Sequence, residues 1–222
     1  MQGPILFITG AGASVDSGLY TYRGDSGIYT NLNEIPKGLT KAGWEEDPIN
    51  TWDTIIPLIE NINENRPGPT YQLIKRIAKR HSVYILTQNV DGYANSIIRN
   101  DHVCELHGDI RAMICETCNI IHPMNIDNIM CDCGNICKPN IVLYGENLSC
   151  TIPLPDKPYK TVIIIGTTLQ FPYLNKIVDN LREHAKIVHI NPDDSYHINV
   201  KKGDIWMKMT SSKALRQIVR LL

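Results

Sequence analysis

A histidine, a short run of amide and acid side chains, and two glycine-rich turns are the residues of this 222-residue chain with the most chemistry to offer. The first turn, Gly10-Ala11-Gly12-Ala13-Ser14, follows the apolar run Ile5-Leu6-Phe7-Ile8 directly and precedes Ser17-Gly18 and Arg23-Gly24. Glycines at the end of a buried strand leave backbone N–H groups bare. Such a turn entering a helix is where α/β domains hold the pyrophosphate of a dinucleotide. The third glycine of the usual GxGxxG is displaced here, so this segment by itself fits a tight turn with no ligand equally well. The second stretch, Thr87-Gln88-Asn89-Val90-Asp91-Gly92, follows another apolar strand, Val83-Tyr84-Ile85-Leu86. Its polar side chains therefore fall at the carboxyl edge of a parallel sheet, where ligands bind. A third, Val103-Cys104-Glu105-Leu106-His107-Gly108, sets a histidine at the same edge, with a pKa suited to moving protons near neutrality.

Four of the seven cysteines form Cys115-x-x-Cys118 and, twelve residues on, Cys131-x-Cys133-Gly134. Thiolates on short turns at this spacing resemble a pair of zinc knuckles and suit an intracellular metal site better than disulfides. Cys137 lies close enough in sequence to compete as fourth ligand, while Cys104 and Cys150 read as ordinary small apolar residues.

These groups need a scaffold, and the chain offers one. Apolar, β-branched runs at 4–9, 82–87, 103–106, 161–166 and 186–190 alternate with helix-compatible segments, among them Thr70 to Arg80, Tyr173 to His184 and Ser211 to Leu222. That alternation predicts an α/β fold, a Rossmann-like parallel sheet with helices on both faces, plus a small zinc-binding module. The expected division is a discontinuous nucleotide-binding domain, 1–110 and 139–222, interrupted by a 111–138 insertion too small to fold without its metal. A net charge of −1 gives no electrostatic argument for nucleic-acid binding, and no run approaches the ~18 apolar residues of a membrane span. Without a charged segment before its first apolar stretch, the chain is expected in the cytoplasm.

Taken together and in order, GAGAS with its downstream SG and RG, TQNVDG, ELHG, the paired cysteines, Pro139-Asn140-Ile141-Val142-Leu143-Tyr144-Gly145-Glu146 and Gly166-Thr167-Thr168 resemble the sirtuin family. The resemblance runs from about Ile5 to Asn191. It implies NAD-consuming removal of an acyl group from a lysine side chain, with zinc as a structural metal. His107 would be the general base on a ribose hydroxyl, and Asn89 and Asp91 would hold the nicotinamide and ribose end, supported by Gln88. Gly10, Ala11, Gly12, Ser14 and Arg23 would hold the phosphates and adjoining ribose, Gly166, Thr167 and Thr168 the opposite wall, and Asn191 the adenine ribose. Tyr22 replaces the phenylalanine usual in the segment Gly18 to Gly24, within a loop, Tyr20 to Glu46, that the resemblance makes a lid. The acyl-lysine peptide would lie as an added strand between Ile141, Val142, Tyr144, Gly145 and Glu146 on one side and Thr168 to Tyr173 on the other.

The sequence departs from the family at CxC in the second cysteine pair, at Ala94 where relatives often have histidine, and at Lys138 where arginine is common. Ile55 and Leu58 align where sirtuins that prefer acidic acyl groups carry a tyrosine and an arginine, so acetyl or longer apolar groups are expected. Two other readings use the same residues: an NAD glycohydrolase or ADP-ribosyltransferase, and a non-catalytic module binding NAD or an acyl peptide.

Overall fold

The structure, a computed structural model, describes residues 3–20, 35–148, 158–194 and 200–221. Six parallel strands form the main sheet: β1 (Ile5–Thr9), β2 (Val83–Thr87), β3 (Val103–Glu105), β7 (Thr161–Ile165), β8 (Lys186–Ile190) and β9 (Ile205–Met207). Their order is β3-β2-β1-β7-β8-β9. The chain thus winds outward from β1 in one direction and from β7 in the other, leaving a topological switch point between them, the place where such sheets open a crevice for a dinucleotide. The five expected strands are present, and β9 extends the sheet at its edge.

Strands β1 and β7 are buried at every residue, as strands covered on both faces must be. One side packs Phe7, Ile85 and Ile163 against α2 (Pro48–Glu64), α3 (Pro69–Ala78), the short α4 (Tyr93–Ile97) and α6 (Ser211–Leu221); the other packs Leu6, Leu86 and Ile164 against α5 (Pro172–Arg182). These helices begin where local chemistry dictates. Asp47 caps α2 by accepting from the backbone of Ile49 and Asn50, and prolines stand in the first turn of α2, α3 and α5, where no N–H is missed. Within the expected lid lies a short helix, α1 (Lys41–Glu46), capped by Thr40.

The second sheet is antiparallel, β5-β4-β6, built from β4 (Gly108–Cys115), β5 (Ile120–Pro123) and β6 (Lys138–Ile141). It is joined to the helical face by two indoles. Trp52 Nε1 donates to the Cys137 carbonyl at 3.0 Å, and Trp44 Nε1 donates to Glu116 at 2.9 Å. Both ends of this sheet run into the carboxyl edge of the main sheet: β4 starts at the residue after His107, β6 ends at the residue before Val142, and Val142 N donates to the His107 carbonyl at 2.8 Å.

Candidate active site and thiolate cluster

The carboxyl ends of β1 and β7 come together through glycine. Gly12 N donates to the Gly166 carbonyl at 2.9 Å, and a Cβ on Gly12 would lie 2.6 Å from Gly166 Cα. Gly166 itself has φ +60, so side chains are disfavoured on both sides of the contact. Above this contact opens a cavity of about 1020 Å³. Gly10, Ala11 and Gly12 form one wall, with Gly166, Thr167 and Thr168 opposite, and Asn191 at the end of β8. Gln88, Asn89 and His107 line its middle, and the segment Ile141 to Glu146 lines its far end. Fifteen residues expected from the sequence thus share one cavity.

Ser14 and Asp91, expected at the nucleotide, instead face each other behind Asn89 and do not line the cavity. Ser14 Oγ donates to Asp91 Oδ2 at 2.6 Å, and the other carboxylate oxygen accepts from Tyr93 N. Asn89 Nδ2 reaches the Gly10 carbonyl, Ser14 Oγ and Tyr71 Oη at 3.0–3.1 Å. The amide orientation of Asn89 is therefore fixed by a buried network joining β1, β2 and α3. Burial pushes the Asp91 carboxyl up, against the opposing pull of its Ser14 and backbone hydrogen bonds. Tyr22 and Arg23 lie outside the described residues.

His107 is half-buried, and desolvation holds its imidazole below the usual histidine range. Its Nδ1 lies 2.8 Å from the Gln88 carbonyl oxygen and its Nε2 lies 2.8 Å from Tyr173 Oη. The loop Ile141 to Glu146 is fixed from beneath by Lys138, which contacts Glu146 Oε1 at 2.5 Å and the Ile141 carbonyl at 3.3 Å. Glu146 Oε2 accepts from Leu143 N. With both oxygens engaged, Glu146 shapes the loop. Tyr144, by contrast, has an exposed side chain and a backbone paired with Leu39 and Lys41.

Ile55 is buried in the core under α2, and neither it nor Leu58 lines the cavity. Among the described residues the cavity wall carries Asp16, Glu146 and Asp193 and no lysine or arginine. Phe171 and Tyr173 lie within the expected peptide-flanking segment Thr168 to Tyr173, with no individual role read for either, and the sequence reading missed the stretch Thr210 to Ser212 at the start of α6. A polar run capping an amphipathic helix was the available signal for that stretch.

In the small sheet, the Sγ atoms of Cys115, Cys118, Cys131 and Cys133 all lie within 4.8 Å of one another. Cys118 N points to Cys115 Sγ at 3.5 Å, and Asn135 donates to Cys133 Sγ. Four converging thiols with N–H donors to sulfur fit a tetrahedral thiophilic ion such as Zn²⁺. Cys137 belongs to a different group, with His122 and Cys131. Cys104 is disulfide-bonded, contrary to its reading as a plain apolar residue, and Cys150 lies outside the described residues.

A six-stranded doubly wound sheet with a nucleotide-sized crevice at its switch point, interrupted by a four-thiol module, defines a dinucleotide-binding α/β protein with a cysteine cluster that could hold a metal ion. The Sir2 family profile matches residues 10–172, and the chain belongs to that family. Among its relatives, an NAD-dependent protein deacylase 2 from Pseudomonas syringae pv. tomato is 28% identical over 240 residues, covering 97% of this chain and 94% of that protein. An NAD-dependent protein deacetylase from Saccharolobus solfataricus is 28% identical over 84% of this chain and 80% of its own. The solved structure of a Sir2 homologue in complex with NAD superposes with a TM-score of 0.81 at 22% identity, covering 98% of this chain and 88% of that one.

Proposed function

We propose that the protein is an NAD-dependent protein lysine deacylase that moves an acetyl or longer apolar acyl group to ADP-ribose and releases nicotinamide. The observation that carries this reading is the position of His107 midway along one continuous cavity, between the glycine contact of β1 and β7 and the loop Ile141 to Glu146. Dinucleotide and acyl-lysine thereby meet at a single base.

Gly10, Ala11 and Gly12 would accept the diphosphate by close backbone approach, with Gly166, Thr167 and Thr168 facing them and Asn191 at the adenine ribose. Arg23 and Tyr22 would complete that end. Asn89, held by Ser14 and Asp91, would present its side chain to the nicotinamide end beside Gln88, so that Ser14 and Asp91 act through it. A cavity that aligns the amide oxygen with the ribose supplies rate by positioning and preorganised charge. His107 would then take a proton from a ribose hydroxyl, which its neutral imidazole suits. Ile141, Val142, Tyr144 and Gly145 would flank the peptide, with Glu146 holding them in place. Cys115, Cys118, Cys131 and Cys133 would hold zinc in the 111–138 insertion, distinct from the two-part domain 1–110 and 139–222. The free thiols of this module suit a reducing compartment, and we place the protein in the cytoplasm, where a disulfide at Cys104 would be an exception.

Incubation with NAD and acetyl, myristoyl and succinyl lysine peptides, followed by mass spectrometry, tests this. Deacylation of the first two matched by acyl-ADP-ribose is the expected result. NAD loss without peptide change would point instead to a glycohydrolase or ADP-ribosyltransferase, and binding without turnover to a non-catalytic module.

A further inference from the structure

His107 is engaged at both ring nitrogens, and the two partners fix where its protons are. The Gln88 carbonyl oxygen, 2.8 Å from Nδ1, can only accept, so Nδ1 carries the hydrogen and donates it. In the neutral ring Nε2 then has the lone pair, and Tyr173, 2.8 Å away, donates its phenolic hydrogen to it. Burial pushes the Tyr173 phenol up to about 12 and holds the imidazole down, so near neutral pH the pair is a neutral phenol on a neutral base.

Tyr173 is held in this position by its surroundings. The preceding loop turns through Leu169, a buried non-glycine residue at φ +51. The turn is secured by Leu169 N donating to Thr167 Oγ1 and by Asn175 Nδ2 donating to the Leu169 carbonyl at 2.7 Å. Pro172 then opens α5. Phe171 stacks on Tyr173 with centroids 5.5 Å apart and meets the edge of His107 at 5.4 Å. Phe171, Tyr173 and His107 all face the cavity, so the one basic nitrogen of His107 already bears the Tyr173 hydroxyl where a substrate hydroxyl would approach.

We propose that Tyr173 is a catalytic residue, the outer member of a two-residue proton relay that joins the substrate ribose hydroxyl to His107. The inference rests on the deacylase reading above. As the ribose O–H bond breaks, its proton passes to Tyr173 Oη while the Tyr173 proton passes to His107 Nε2. The freed electron pair of the ribose oxygen forms the new bond to the acyl carbon of the imidate linking lysine to the ribose, while the C=N π pair moves onto the lysine nitrogen, which takes a proton back from His107 as the amine departs. Tyrosine is regenerated in the same step, and His107 is left as an imidazolium that returns the proton when the product forms. No external acid, base or oxidant is required.

The test compares wild type, Tyr173→Phe and His107→Ala in two assays. One is the exchange of labelled nicotinamide into NAD in the presence of an acetyl-lysine peptide, which reports cleavage of the glycosidic bond before the relay acts. The other is formation of acetyl-ADP-ribose. Tyr173→Phe keeps the ring against Phe171 and is expected to retain exchange within about threefold while losing acyl transfer by about 100-fold, as His107→Ala does. In mixed H₂O and D₂O the wild-type transfer rate should depend quadratically on deuterium fraction, for two protons in flight, and the residual Tyr173→Phe rate linearly. Acyl transfer by Tyr173→Phe at the wild-type rate or faster overturns the relay, showing that the hydroxyl only covers the base. Equal loss of exchange and transfer overturns it as well, because the ring would then shape the site and not pass protons. A wild-type protein that performs neither reaction removes the deacylase reading itself and the relay with it.

Discussion

Lys138 Nζ and Glu146 Oε1 lie 2.5 Å apart beneath the loop that ends the second sheet, with the two side chains only 8% and 16% exposed. Lysine stands here where arginine is common in the family, and it offers a point charge and no fork. In the fold a compact ammonium suffices, because it meets Glu146 and the Ile141 carbonyl together. Removing one member of such a pair strands the other. Lys138→Met is expected to cost about 3 kcal/mol of stability and raise the peptide KM while leaving NAD affinity near wild type. Thermal melts and steady-state kinetics check this, and an unchanged peptide KM would dissociate the pair from the loop.

The approach of Gly12 to Gly166 leaves no room for a methyl group, since the nearest atoms are backbone. Gly12→Ala should weaken NAD binding at least about tenfold, equivalent to about 1.4 kcal/mol. Titration calorimetry reads this directly, and wild-type affinity would show that the turn has slack.

Because the thiol module lies in series between His107 and Val142, metal removal is expected to act on the site and not only on the module. Stripping zinc with a chelator, or Cys115→Ser, should lower Tm by roughly 10 °C and abolish deacylation. Metal analysis alongside the melts tests the link; full activity in metal-free protein would break it.

The pH dependence of kcat/KM should carry the signature of His107. Burial favours its neutral form, so the acid limb is expected below the ordinary imidazole value of about 6.5, with activity retained as pH falls through that value and lost lower down. The same shift removes stability as pH drops below about 6.5, since the unfolded chain then gains a proton that the folded one resists. An acid limb above 7 would contradict this environment for the ring.

Glu105 on β3 shows the opposite sign. Burial, and next the nearby Asp109 carboxylate, push its carboxyl up to about 7, and Oε1 is buried without a hydrogen-bond partner among the described residues. The folded chain therefore keeps a proton that the unfolded chain releases near 4.3, so this contribution to stability is full below that pH and disappears as pH climbs to about 7. Glu105→Gln, a mimic of the protonated form, should stabilise the protein at pH 8 by about 1–2 kcal/mol, after allowance for partial solvent screening, and have little effect at pH 4. Melts at the two pH values decide it.

The sequence alone determined the elements whose signal is local. Five fully or largely apolar runs became five parallel strands because buried strands tolerate few polar residues, and three amphipathic segments became helices within two residues of their expected ends. Glycines and polar residues following those strands had to gather at one sheet edge, since all the strands run the same way; this is why fifteen expected residues share a cavity. The paired thiols were legible from spacing for the same reason of proximity along the chain. What the tertiary structure decided depends on contacts between residues distant in sequence. Strand β9 is three residues long and owes its place to pairing with β8. Asp91 turned from the cavity because Ser14, 77 residues earlier, meets its carboxylate. Tyr173 reached His107 across 66 residues because a buried left-handed turn at Leu169 and the stacked ring of Phe171 direct it there. Periodicity and spacing describe a residue's own segment, whereas the partner that sets its protonation or orientation is supplied by the packing of another.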